Sequence, residues 1–318
     1  MNASTSPITS SEIPREVYDS TRLALYVLAG IAAGVIIAGF WNYHLVDGFG
    51  KEVVAGGTIG DTAELASSYP SRGSSFGFLF AAVAGLAATF TACNCVVFAM
   101  IPGLACSTDA KGSEVKPMRA LTTFVGGVLA VCAVYGGVIG YLGPQGVEMM
   151  NARSVRLGQA QVVFTLLGAS MLVWSVFEFG YLRSFTDRLS ASTRAFFASA
   201  TTKAGLLGTM VGLFAVGRPF PVFRQFLSYA ATAENPLYGA AVMMVQGAGQ
   251  ILLMALLFVA LIWFAGEKLG RWAAEKPYQP RLVSGLALLI GGTFFVYYWG
   301  LAFAFDIGGW GFKLGLYG

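Results

Sequence analysis

The sequence predicts an all-α integral membrane protein of about seven transmembrane helices, and three observations predict it. Apolar residues make up 56% of the 318 positions and charged residues only 11%, against about 25% charged in ordinary soluble domains. The apolar residues come in long blocks, and stretches of about 18 or more with few charges read as membrane-spanning helices. The charged residues collect between the blocks.

Seven blocks are candidate spans, at about 22–41, 75–103, 118–143, 158–181, 195–226, 236–265 and 280–305. Residues 1–21 form a polar tail with Pro7, Pro14 and several serines, read as flexible. The first span lacks a basic region ahead of it and is too long for a signal-peptide core, so it is expected to be retained. Its Gly30 and Gly34 make a small-xxx-small face suited to packing on another helix.

Basic residues set the expected orientation. Twelve lysines and arginines fall in the segments on the N-terminal side of the membrane and seven on the other. The positive-inside rule then places the N-terminus in the cytoplasm and the C-terminus outside. The 42–74 segment becomes an extracytoplasmic loop without clear periodicity, and 306–318 an outer tail rich in glycine and aromatics. His44, beside Trp41 and Tyr43, reads as part of an interfacial aromatic belt, with a proton or quinone role as the alternative.

The remaining six spans divide into two triplets, 75–182 and 183–305. Laying Gly85-Leu86 over Gly212-Leu213 brings Cys93 onto Phe220, and each triplet opens with a helix that carries a breaking site, Pro102-Gly103 in one and Pro219-Phe220-Pro221 in the other. Each triplet holds an odd number of spans, so the second is inverted relative to the first. That is a 3+3 inverted repeat with two broken helices, a plan that transporters build around a midplane site.

Four cysteines and one histidine offer no CxxC pair, no haem attachment motif and too few histidines for a bis-histidine haem. No cofactor and no metal centre is expected, and the net charge of +4 belongs to membrane topology, not to nucleic acid. Cys93 and Cys95 could still present two soft ligands to a thiophilic cation. On an unbroken helix they point away from each other, about 200° apart, and Pro102 is expected to disturb the helix near 98–102. Cys132 lies at a depth close to that of Cys93, ~20 Å against ~15 Å from the cytoplasmic ends of their spans. Burial as small apolar filler is the plain alternative for Cys132 and Cys106.

The Cys93-Asn94-Cys95 to Ile101-Pro102-Gly103 run resembles the first-helix motif of the CcdA/DsbD transmembrane family, in which a Pro-Cys pair precedes an apolar stretch and another proline. The Gly217-Arg218-Pro219-Phe220-Pro221 to Arg224 run resembles the matching helix of its second half. The resemblance covers about 75–305. It implies a six-helix inverted-repeat core that serves cytochrome c biogenesis by carrying electrons across the membrane through thiol–disulfide exchange. Cytoplasmic thioredoxin would be the donor and an extracytoplasmic thioredoxin-like protein the acceptor. Two positions depart from the pattern: Ala92 replaces the first proline, and Phe220 stands where the second cysteine belongs.

On this reading Cys93 is the primary thiol, with Cys95 or Cys132 to resolve it. Lys203 is a candidate for countering the high pKa of a buried thiol, Glu178 a partner for Lys203 or Arg183, and Gln246 and Gln250 an interhelical hydrogen-bonding pair. Arg218 and Arg224 flank the second break and are expected to face outward, toward an anionic partner or lipid. The expected setting is a bacterial inner membrane, with the bilayer and other membrane subunits as further partners. A non-catalytic subunit on the same scaffold and a soft-metal or sulfur-solute transporter are the competing functions.

Overall fold

The computed structural model describes residues 20–91, 117–181, 199–276 and 278–317. Among these residues every regular element is helical. The long helices are α1 (Ser20–Gly39), α2 (Tyr69–Ala88), α3 (Pro117–Asn151), α4 (Arg153–Glu178), α5 (Ala200–Gly217), α6 (Pro221–Ala231), α7 (Pro236–Glu275) and α8 (Tyr278–Phe295). A wide π-type turn, Val296–Ala302, extends α8. Among the described residues five helices are long and apolar enough to cross a membrane, and α5 and α6 pass the same test together as a pair bent by 82°. The chain is therefore an integral membrane protein, with lipid around its outer face. The expected span at 75–103 continues into residues outside the described set.

Glycines set the helix directions by allowing close backbone approach. Gly85 of α2 lies against Gln246 and Gln250 of α7, and Gly77 against Tyr238, so α2 and α7 are parallel. Gly136 meets Gly239 and Gly140 meets Asn235, so α3 runs antiparallel to α7. Gly208 and Gly212 of α5 meet Phe124 and Val128 of α3 in parallel. It follows that α2 and α5 run in opposite directions, the arrangement an inverted repeat requires. Helix α1 packs on the rim, with Gly30 and Gly34 against Leu289 and Thr293 of α8, and Leu25 and Leu28 exposed toward lipid.

The 42–74 segment is not an aperiodic loop. It folds into short helical pieces, Tyr43–Gly48, Phe49–Gly56 and Thr62–Ala66, capped by Asn42 and Asp61 side chains. The first two run on as one helical stretch whose second part, Phe49–Gly56, is π-wound, so no 3.6-residue period shows in the sequence. Gly50 rests on the carbonyl of Ala87 and on Phe220, while Thr62 donates to Gln225 at 2.6 Å, so the segment packs over the bend between α5 and α6.

Candidate functional site

The end of α2 and the bend after α5 meet on one residue, Gln250. Helix α2 stops at Ala88, earlier than the 98–102 disturbance expected from Pro102. Past Ala88 the backbone tightens into i to i−3 hydrogen bonds, Thr89 N to Leu86 O, Phe90 N to Ala87 O and Thr91 N to Ala88 O. Thr91 Oγ1 donates to Ala88 O at 2.7 Å, and Thr89 Oγ1 donates to Gln250 O of α7 at 3.0 Å. Past Gly73, a left-handed position, the regular part of α2 covers only 74–88. That is ~22 Å of regular helix before the described residues end at Thr91.

Helix α5 ends at Gly217, and Arg218 to Phe220 turn through extended backbone before Pro221 starts α6. Arg218 Nη1 donates to Gln250 Oε1 at 3.0 Å. Gln250 thus accepts from both breaks, through its backbone carbonyl and its side-chain carbonyl. It sits ~20 Å along α7 from Pro236, inside the membrane core. With Gly85 laid on Gly212, the turn at Thr89–Thr91 and the one at Arg218–Phe220 fall within two positions of each other.

The predicted residues distribute around this point. Cys132 is a free, fully buried thiol packed on Gly247, one turn from Gln250, and the charge of Arg218 bears on it. Phe220 is buried beneath Gly50, and Pro219 and Pro221 bracket it in the bend. Cys93, Cys95, Pro102 and Gly103 lie outside the described residues. Cys93 follows the end of α2 at Ala88 by five positions.

Lys203 is engaged elsewhere: its Nζ lies 2.6 Å from Glu178 Oε1, and Trp174 Nε1 donates to the same oxygen at 3.2 Å. This pair ties the start of α5 to the end of α4, so the cation near Cys132 is Arg218 and not Lys203. Gln246 is fully buried, but its amide makes no hydrogen bond, unlike Gln250.

The arginines correct an expectation. Arg218 and Arg224 are 1% and 3% exposed, buried in the bundle instead of facing outward. The cause is the 82° bend, which folds α6 back against α2 and α3 and carries both side chains inward. Arg224 Nε donates to Arg218 O at 2.7 Å, bracing the bend from inside. Sequence reasoning missed Thr89, Tyr135, Gln159 and Asp47 around this point. Gln159 Nε2 holds Val216 O at 2.7 Å, the last turn before the bend; a glutamine within an apolar block was the available signal.

Asp47 approaches from the short helix after α1. Burial raises its carboxyl to about 6, against the opposing pull of Arg218 and then His44. Its charge and that of Arg218 act on each other.

A family model, the cytochrome c biogenesis protein transmembrane domain, matches residues 75–288. The chain belongs to this family. The match leaves α1 and the 42–74 segment outside it, and takes in both helix breaks, Cys132 and the arginines. No curated protein and no solved structure matches the chain. Membership brings the cytochrome c biogenesis and thiol–disulfide electron-transfer setting that the two motifs imply.

Proposed function

We propose that the protein passes reducing equivalents across a bacterial inner membrane, from cytoplasmic thioredoxin to an extracytoplasmic thioredoxin-like partner. The observation that carries the reading is Cys132, buried beside Gly247 at the level where both breaks meet on Gln250 and within electrostatic reach of Arg218. A thiol reacts as its thiolate, and a guanidinium attracts that anion, so this arginine is the group suited to poise the thiol. Cys93 acts as the primary thiol, and Cys132 or Cys95 resolves it. Two thiols form one disulfide and release two electrons and two protons, which reduce the acceptor's disulfide to a dithiol; thioredoxin's dithiol reverses the change.

With the buried Arg218 and Arg224 set aside, twelve basic residues against five support an N-terminus in the cytoplasm and a C-terminus outside. Mild oxidant should protect two of Cys93, Cys95 and Cys132 from alkylation in membrane vesicles, and reduced thioredoxin should restore labelling. Labelling that neither treatment changes would remove the proposal.

A second reading has its own support. Phe220, where the family's second-half cysteine belongs, is fully buried and packed, as expected of a scaffold that now serves a larger membrane complex. Serine at Cys93 and Cys95 separates the two: retained cellular function with a co-purifying partner favours the complex subunit.

A further inference from the structure

Thiol chemistry leaves unexplained a cluster of arginines around the start of α6. Arg224 donates its Nε to the carbonyl of Arg218. Its Nη1 and Nη2 are buried and meet no hydrogen-bond partner among the described residues. Arg156, in the first turn of α4, is half-buried; its Nε is also buried without a partner, and its charge bears on Arg224. Neither Arg156 nor Arg224 forms an ion pair among the described residues. Desolvated guanidiniums are costly unless their charge and their donors are met, and like charges nearby raise the cost.

A second feature points the same way. Helix α6, 11 residues long, begins inside the bundle at Pro221, and Phe220 caps it with no side-chain hydrogen bond. The N-terminus of a half-helix inside a membrane protein carries free amides and partial positive charge, which suit an anionic group. Around this end stand Arg218 and Arg224, the Tyr135 hydroxyl within electrostatic reach of Arg224, and Asp47 within reach of Arg218.

We propose that the cluster binds a compact oxyanion: a phosphate, sulfate or carboxylate group. The paired Nη1 and Nη2 of Arg224 present the fork that grips two oxygens of such a group. Arg156, nearer the bundle surface, guides it in. No sulfur atom takes part, so the site stands or falls apart from the thiol reading. A free anion and the headgroup of an anionic lipid share this chemistry.

The test uses the full chain in nanodiscs. In zwitterionic phosphatidylcholine discs, inorganic phosphate and sulfate are titrated while the thermal midpoint is followed. In discs containing phosphatidylglycerol, the midpoint and the lipid retained in native mass spectrometry are read. A saturable rise in the first arm identifies a free anion; a rise with retained phosphatidylglycerol in the second identifies a headgroup. Either effect should vanish in Arg224→Gln, persist in weakened form in Arg224→Lys, and weaken by about tenfold or more in Arg156→Gln. Wild type indifferent to both anions and to phosphatidylglycerol overturns the site. So does an effect that Arg156→Gln and Arg224→Lys leave unchanged, which keeps the test decisive if Arg224→Gln does not fold.

Discussion

Arg218 and Gln250 meet at 3.0 Å in the membrane core, and through them the bend after α5 is fastened to the helix that also receives Thr89 from the end of α2. A hydrogen bond to a buried charge is worth about 1.5–3 kcal/mol. Gln250→Leu keeps the volume close and removes the acceptor, so the protein should lose about that much stability. Thr89→Val should cost less, about 1 kcal/mol, since its donor is neutral. The double variant should depart from additivity only weakly, because the two bonds use different oxygens. Thermal unfolding of the purified variants in one detergent reads all three, and a Gln250→Leu protein as stable as wild type would show that the Arg218 contact fastens nothing.

Lys203 and Glu178 form the described ion pair nearest the end of the bundle where α4 stops and α5 starts. Glu178 is 7% exposed and Lys203 29% in their side chains. Removing one member leaves the other charge partly desolvated, whereas removing both leaves none. Lys203→Met and Glu178→Gln should each destabilise the protein, Lys203→Met more, because Glu178 is the more buried. The double variant should recover part of the loss, with a coupling of about 0.5–3 kcal/mol. Strict additivity in the unfolding midpoints would mean that the pair is screened by water.

Much of this arrangement was legible in the sequence. Spanning helices must be long and apolar because lipid offers no hydrogen bonds to a backbone, so α1, α3, α4, α7 and α8 announced themselves. The Gly85 and Gly212 register was legible too, since close helix crossings need glycine. Two things were not. Helix α2 tightens past Ala88 with Thr89 bonded across to α7, and a threonine reads the same in sequence whether it back-bonds inside its own helix or reaches a neighbouring one. Arginine near the end of an apolar block reads as interfacial, and only the 82° bend turns Arg218 and Arg224 into buried residues. Asp47 was invisible for a similar reason: its partner lies far along the chain, in another half of the fold.

Asp47 makes stability depend on pH in a stated direction. Its carboxyl titrates near 6 in the folded protein and near 3.8 when unperturbed, with burial as the cause. Between those values the folded state holds more protons than the unfolded one, so this group's contribution falls as pH rises. It is fully present below 3.8 and lost once pH passes about 6. Asp47→Asn should flatten that segment of the profile and raise the thermal midpoint at pH 7 relative to wild type. A midpoint that Asp47→Asn lowers at pH 7 would show instead that the attraction to Arg218 outweighs burial.

Gly85 fixes how closely α2 approaches the helix that carries Gln250. A β-carbon there would come within 2.1 Å of Gln246 O and 2.9 Å of Gln250 N, both backbone atoms that cannot swing aside. Gly85→Ala must push α2 away from α7, which stretches the Thr89 bond to Gln250 and loosens the level at which the two breaks meet. Overpacking of this kind costs about 1–3 kcal/mol. Gly126→Ala is the matched control, because its β-carbon would meet nothing within 4 Å and the helix gains a better former. Gly85→Ala should therefore lower the thermal midpoint while Gly126→Ala leaves it level or raises it. It should also speed alkylation of Cys132, whose burial depends on α7 staying seated against α3 through Gly247. Equal midpoints and equal labelling rates for the two variants would mean that α2 can shift without disturbing the bundle.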